Sequence, residues 1–264
     1  MDTDRFYVLL DIVTTVIILV AVGLGAGTLG SMIGVGGGIM MVPALAFLGL
    51  PPTQIASTSL FAVTSTSVSS TIAYSRQKRI DYRLGVEMAA FAVPGAVVGA
   101  LLSGQLSAQD FRLYFGILLS LVGLYVAFRS SILKEKGEKR SPARRVAVYA
   151  ITFGAGIISS LFGVGGGIIF VPAMLLVLGM AVQKAAPTSQ LTLMITALVG
   201  VFTHSALGHP DYVYALALSA GAFVGAQLGA RWSRKAKEVL LQRMLGAVLI
   251  AVAGKFIFDW FSGR

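Results

Sequence analysis

The chain has no cysteine in 264 residues, which excludes disulfides, iron–sulfur clusters, thiolate metal sites and thiol catalysis. Charge is scarce as well, at 12% of residues, against about 25% in typical soluble domains. Histidine occurs only twice, and there is neither a His-Glu-x-x-His helix nor a carboxylate pair, so no metal and no cofactor are expected. Gly25-Ala26-Gly27-Thr28-Leu29-Gly30 matches a dinucleotide fingerprint in letters only, because no strand precedes it. Ala217-Leu218-Ser219-Ala220-Gly221 has the outline of a serine elbow but no clear partner base. The chain does not read as an enzyme.

What is abundant is apolar sequence: 56% hydrophobic residues and a mean hydropathy of +0.84. Runs approaching membrane-spanning length recur at Val8–Leu29, Ile55–Tyr74, Val86–Leu102, Leu113–Phe128, Gln190–Leu207, Tyr212–Leu228 and Leu240–Phe258. A spanning helix needs roughly 20 such residues, and tilt accommodates departures from that length. Asp2 and Asp4 stand where a secretory signal would be basic, and the first run is too long for an h-region. It reads as a first transmembrane segment. The expected class is an all-α, polytopic membrane protein.

The net charge of +10 is concentrated in three loops. Residues 76–83, 129–145 and 231–243 together hold sixteen of the 21 Lys and Arg, and the other connections are almost free of them. That distribution is a topology signal rather than a nucleic-acid surface: the basic loops are expected on the cytoplasmic side of the cell membrane. The partners implied are the lipid bilayer and a small solute, with no nucleic acid.

Ten residues are written twice. Gly34–Pro43 returns as Gly163–Pro172, with eight positions identical and an offset of 129. The chain therefore divides into a first repeat (1–128), a basic linker (129–145) and a second repeat (146–264). Loop charge distinguishes the two. The loop after the third segment is basic in the first repeat (76–83) and free of Lys and Arg in the second (207–212). The loop after the fourth segment shows the reverse, at 103–110 and 231–243. Equivalent loops are thus expected on opposite faces. The repeats are inverted, each with an odd number of crossings, and both chain ends lie on the non-cytoplasmic side. This is an architecture common among secondary transporters.

The apolar stretches after the glycines, Ile39–Leu50 and Ile168–Met180, are too short to span. Each is expected to be a half-helix starting inside the membrane. Gly34, Gly36, Gly37 and Gly38, with Gly163, Gly165, Gly166 and Gly167, permit a broken backbone and close approach of a ligand. Half-helix N-termini offer unpaired N–H groups to an anion. The alternative is that these glycines only allow close helix packing. A second matched pair, Thr58-Ser59 and Thr188-Ser189, reads either as ordinary helix caps or as hydroxyls completing a neutral cage. Thr64–Ser67, Thr192 and Thr196 extend a polar stripe, and Gln190 adds an amide where the first repeat has Leu60. His204 and Glu87 are candidates for proton coupling, against readings as interfacial and snorkelling residues. Gly95-x-x-x-Gly99 and Gly221-x-x-x-Gly225-x-x-x-Gly229 are packing stripes.

With its doubled Gly-Val-Gly-Gly-Gly…Val-Pro motif and paired Thr-Ser, the chain resembles the sulfite exporter TauE/SafE family of membrane permeases. The resemblance implies transport of sulfur-containing anions such as sulfite or organosulfonates. It also implies that the glycines and Thr-Ser pairs line the substrate path. The combined expectation is an alternating-access exporter holding an oxyanion at half-helix N-termini. The other readings left open are an anion channel and an importer of another small sulfur compound.

Overall fold

The computed structural model describes residues 3–132, 141–233, 250 and 252–262. Its elements are helices: α1 (Thr3–Ile33), α2 (Gly38–Phe47), α3 (Pro52–Arg76), α4 (Tyr82–Ser103), α5 (Ala108–Ile132), α6 (Pro142–Phe162), α7 (Gly167–Leu176), α8 (Val182–Ala206) and α9 (Tyr212–Trp232). A further helical stretch covers 252–261, and no strand occurs among the described residues. Linker residues 133–140 and most of the third basic loop and last apolar run lie outside the described residues.

The element lengths repeat along the chain. Two ten-residue helices, α2 and α7, are each followed by a 25-residue helix and then by one of 22 or 21 residues. At 1.5 Å per residue a ten-residue helix is about 15 Å long, half of a bilayer core. The boundaries have local causes. Asp81 and Asp211 cap α4 and α9 by accepting from Leu84 N and Tyr214 N, each at 3.1 Å. Ser141 caps α6, four residues before the expected end of the linker. α1 and α6 end at Gly34 and Gly163, whose φ values of +87° and +75° are left-handed and suit glycine.

Among the described residues, five helices are long and apolar enough to cross a membrane: Val13–Ile33 within α1, α4, α6, α8 and α9. Of these, α6 is absent from the runs read off the sequence, because Arg144 and Arg145 open it and Thr152, Ser159 and Ser160 interrupt it. α3 is not among the five, although it is as long as α8. It is rich in Ser and Thr, yet most of it is buried by other helices. A helix surrounded by protein need not be apolar on every face.

The helices pair across the repeats. α1 lies along α9 and α6 along α4, while α3 and α8 pack together at the centre. Small residues permit the close approach: a Cβ added at Gly221, Gly225 or Gly229 would overlap the carbonyls of Val20, Leu24 and Thr28 in turn. Both residue numbers rise together, so α1 and α9 run in the same direction. Gly95 and Gly99 meet the Phe153 and Ile157 carbonyls in the same way, so α4 and α6 also run in parallel. At the centre, Gly200 near the end of α8 faces Leu60 near the start of α3, which is an antiparallel register.

Candidate functional site

The two glycine breaks lie in the buried middle of the bundle, facing each other. A Cβ on Gly38 would overlap the Val164 carbonyl, and one on Gly167 would lie 2.5 Å from the Gly34 carbonyl oxygen. No side chain larger than hydrogen fits at either place. α2 and α7 start here, and neither has a side-chain cap. The N–H groups of Gly38 and Ile39, and of Gly167 and Ile168, make no hydrogen bond among the described residues. Two positive dipole ends thus point into one buried region.

Serines cross-brace the breaks. Ser59 Oγ donates to the Gly163 carbonyl at 2.8 Å, and Ser189 Oγ donates to the Gly34 carbonyl at 2.7 Å. Each hydroxyl on a central helix holds the other repeat's break, and each satisfies a carbonyl that would otherwise be buried unpaired. The threonines beside them do something else. Thr58 Oγ1 accepts from Asp211 N at 3.2 Å, and Thr188 Oγ1 accepts from Asp81 N at 3.0 Å. They clamp the starts of α9 and α4 against the opposite central helix. Neither pair caps a helix, because α3 and α8 begin earlier, at Pro52 and Val182. The Ser/Thr stripe is mostly engaged in packing: Ser65 and Ser69 donate to the α9 carbonyls of Ser219 and Phe223, and Thr192 to Gly85.

Gln190 is fully buried and its Nε2 donates to the Gly30 carbonyl at 3.1 Å, beside the first break. Its Oε1 has no partner. The unpartnered buried hydroxyls include those of Thr64, Ser70, Ser159 and Ser160. Buried polar atoms without a protein partner are places that water or a solute can satisfy.

The proton-coupling candidates fall in different places. His204 is fully buried, and its Nε2 lies 3.0 Å from the Ser160 carbonyl. A carbonyl only accepts, so Nε2 carries the proton and Nδ1 is turned to His209 Nδ1, 3.0 Å away. His209 went unnoticed in the sequence, since nothing in a Gly-His-Pro loop signals a buried partner five residues back. It sits in the loop between α8 and α9, where partial burial holds its imidazole below the ordinary value. Glu87 lies elsewhere, on the α4–α6 contact. It accepts from Arg83 at 2.9 Å and from Tyr149 at 2.6 Å, with Arg145 at 3.9 Å. The structure does not bring it to the breaks. Among the described residues, no group of three or more His, Cys, Asp or Glu is placed to hold a metal ion.

Comparison with known proteins agrees with this architecture. The chain is 33% identical over 266 residues to the probable membrane transporter protein YunE of Bacillus subtilis, covering 92% of this chain and 97% of that one. It is 28% identical over 248 residues to a probable membrane transporter protein of Xylella fastidiosa, covering 91% and 93%. A probable membrane transporter protein of Methanocaldococcus jannaschii, MJ0441, is 26% identical over 261 residues, covering 91% and 94%. No solved structure matches the chain. The family described as sulfite exporter TauE/SafE matches residues 19–256, which takes in both breaks, both central helices and every residue of the site. This multi-pass membrane protein belongs to the sulfite exporter TauE/SafE family.

Proposed function

We propose that the protein is a carrier, not an enzyme, that exports small sulfur-containing oxyanions such as sulfite or organosulfonates by alternating access. One observation carries the reading: two short helices begin, uncapped, at facing glycine breaks inside a bundle of membrane-spanning helices. Irregular backbone at such depth is tolerated only against protein or a wet cavity. The N–H groups and hydroxyls there are donors, and a donor-rich cage without a fixed cation binds an oxyanion weakly enough to release it.

The repeats are inverted in this reading. Supporting it, α1 runs with α9 and α4 with α6, while α3 opposes α8. Short turns reverse direction between α3 and α4 and between α8 and α9. Equivalent helices of the two repeats then run oppositely. The loops at 76–83, 129–145 and 231–243 lie in the cytoplasm, and both ends outside. Rocking one repeat against the other opens the breaks to each side in turn. The membrane potential drives an anion outward by about 2.3 kcal/mol per charge per 100 mV. His204, facing His209 across 3.0 Å, is the residue through which protons would couple.

The test is counterflow in proteoliposomes, with labelled sulfite outside and unlabelled anions inside. Transient accumulation driven by a sulfur oxyanion is the expected result, and trans-stimulation separates a carrier from an anion channel. No accumulation with any sulfur anion, in vesicles holding folded protein, would remove the substrate class.

A further inference from the structure

The two breaks share a sequence but not a backbone. In the first, the Gly30 carbonyl accepts from the N–H groups of Gly34, Val35 and Gly36 at 3.0, 2.9 and 3.2 Å. In the second, the Ser159 carbonyl stands in the same place and accepts from Gly163 alone, at 2.9 Å. The N–H groups of Val164, Gly165, Gly166, Gly167 and Ile168 make no hydrogen bond among the described residues. Backbone dihedrals differ accordingly. Gly36 and Gly37 both have positive φ, +86° and +83°, whereas Gly165 at +76° is followed by Gly166 at −63°. Alternating signs turn successive N–H groups toward one side, the concavity that suits an anion.

Two replacements stand at the difference: Phe170, whose ring packs on Gly166, takes the place of Met41, and Ser159 takes the place of Gly30. A Cβ on Gly30 would overlap the amide nitrogen of Gly37. The second repeat has that Cβ, because Ser159 replaces the glycine. The second break is therefore prevented from folding back onto its helix as the first does. Ser159 also brings a hydroxyl, on a residue 1% exposed, that has no partner. Ser159 takes the place in α6 that Gly30 holds in α1, where a Cβ meets the backbone of the break.

We infer that the oxyanion is bound by the second break alone, on the open N–H groups of Val164–Ile168, with Ser159 as both wedge and donor. The first break, with Val35 and Gly36 tied to Gly30 and only the Gly37, Gly38 and Ile39 N–H groups open, is the narrower of the two, and each chain holds one anion. This assignment rests on the anion-carrier reading above. It replaces a site shared evenly by two half-helices with one on a single side of the repeat interface.

Hydrogen–deuterium exchange of the whole chain in nanodiscs tests it, first without ligand and then with sulfite. Without ligand, amides 164–168 exchange faster than 34–36. Sulfite protects 164–168 and leaves 34–39 unchanged, including the open amides of Gly37, Gly38 and Ile39. Ser159→Gly lets the second break close, slowing exchange at 164 and 165 and weakening sulfite binding by more than about 30-fold. Ser159→Ala keeps the wedge and loses only the hydroxyl, so exchange stays fast and binding weakens by about 3- to 10-fold. Equal protection of both breaks would overturn the assignment. So would a Ser159→Gly variant, melting normally without ligand, whose exchange and affinity match the parent, or a Ser159→Ala variant as impaired as Ser159→Gly. Protection at neither break, with the ligand-free difference intact, would remove the sulfite-class ligand and this assignment with it.

Discussion

The two repeats make matched contacts through their Thr-Ser pairs and differ elsewhere on the same interface. Ser59 and Ser189 make the same bond to the opposite break, and Thr58 and Thr188 make the same bond to the opposite aspartate. Such reciprocity is what a two-fold related interface requires, with each contact made twice. The departures lie beside those contacts, some on the interface itself, where Gln190 reaches the Gly30 carbonyl and Leu60 faces Gly200. Gly30 corresponds to Ser159, Leu60 to Gln190 and Tyr74 to His204. Tyr74 and His204 do the same structural work, the tyrosine hydroxyl donating to the Ser31 carbonyl at 2.9 Å as His204 Nε2 does to Ser160. Only the histidine keeps a second nitrogen free to face another group. In the function proposed above, the symmetric contacts hold the frame and the asymmetric positions supply the chemistry.

The largest effect expected from breaking this pattern is on folding. Gly163→Ala would put a methyl group into Ser59 Oγ and the Ala56 backbone, at a left-handed φ. A loss of about 3 kcal/mol or more is expected, read as loss of monodisperse protein. Gly154→Ala meets nothing within 4 Å and is the neutral control. Next come Ser59→Ala and Ser189→Ala. Each leaves a buried carbonyl without its hydroxyl, for about 1–3 kcal/mol. If the braces are equivalent, the two variants melt at the same temperature; unequal losses would show that one break is the more dependent.

Thr58→Val and Thr188→Val remove acceptors for Asp211 N and Asp81 N at opposite ends of the central pair. A drop of about 1 kcal/mol in stability is expected from each, together with slower counterflow. Unchanged counterflow in both would separate these clamps from transport. The smallest effect concerns pH. His209 is held below its ordinary value, so the fold favours the neutral ring. Its contribution is complete above pH of about 6.5 and declines as pH falls toward the folded value. Between pH 7.5 and pH 5 the parent should therefore lose more thermal stability than His209→Ala, by a degree or so in melting scans. Equal losses would mean that the imidazole titrates as it does in water.

Much of this was legible in the residues. Glycine repeats in an apolar chain of low charge announced broken helices, and α2 and α7 begin at Gly38 and Gly167 within one residue of expectation. The small-residue stripes on α4 and α9 pack as their spacing requires. Of the two readings of the Thr-Ser pair, the helix cap fails, because the helices begin six residues earlier. α6 was obscured because its Ser and Thr face protein instead of lipid, so hydropathy alone understates it.

The sequence by itself determined the class, the doubled unit and the places where the helices break. Composition sets whether a segment tolerates lipid, and glycine sets where backbone can leave the helix. Only the tertiary structure decided which hydroxyl reaches which carbonyl, since Ser59 and Gly163 are 104 residues apart and meet only when the repeats interlock. It also decided that two identical glycine motifs take different backbones. That outcome depends on whether a Cβ one turn upstream leaves room for the chain to fold back, a matter of packing that no motif encodes.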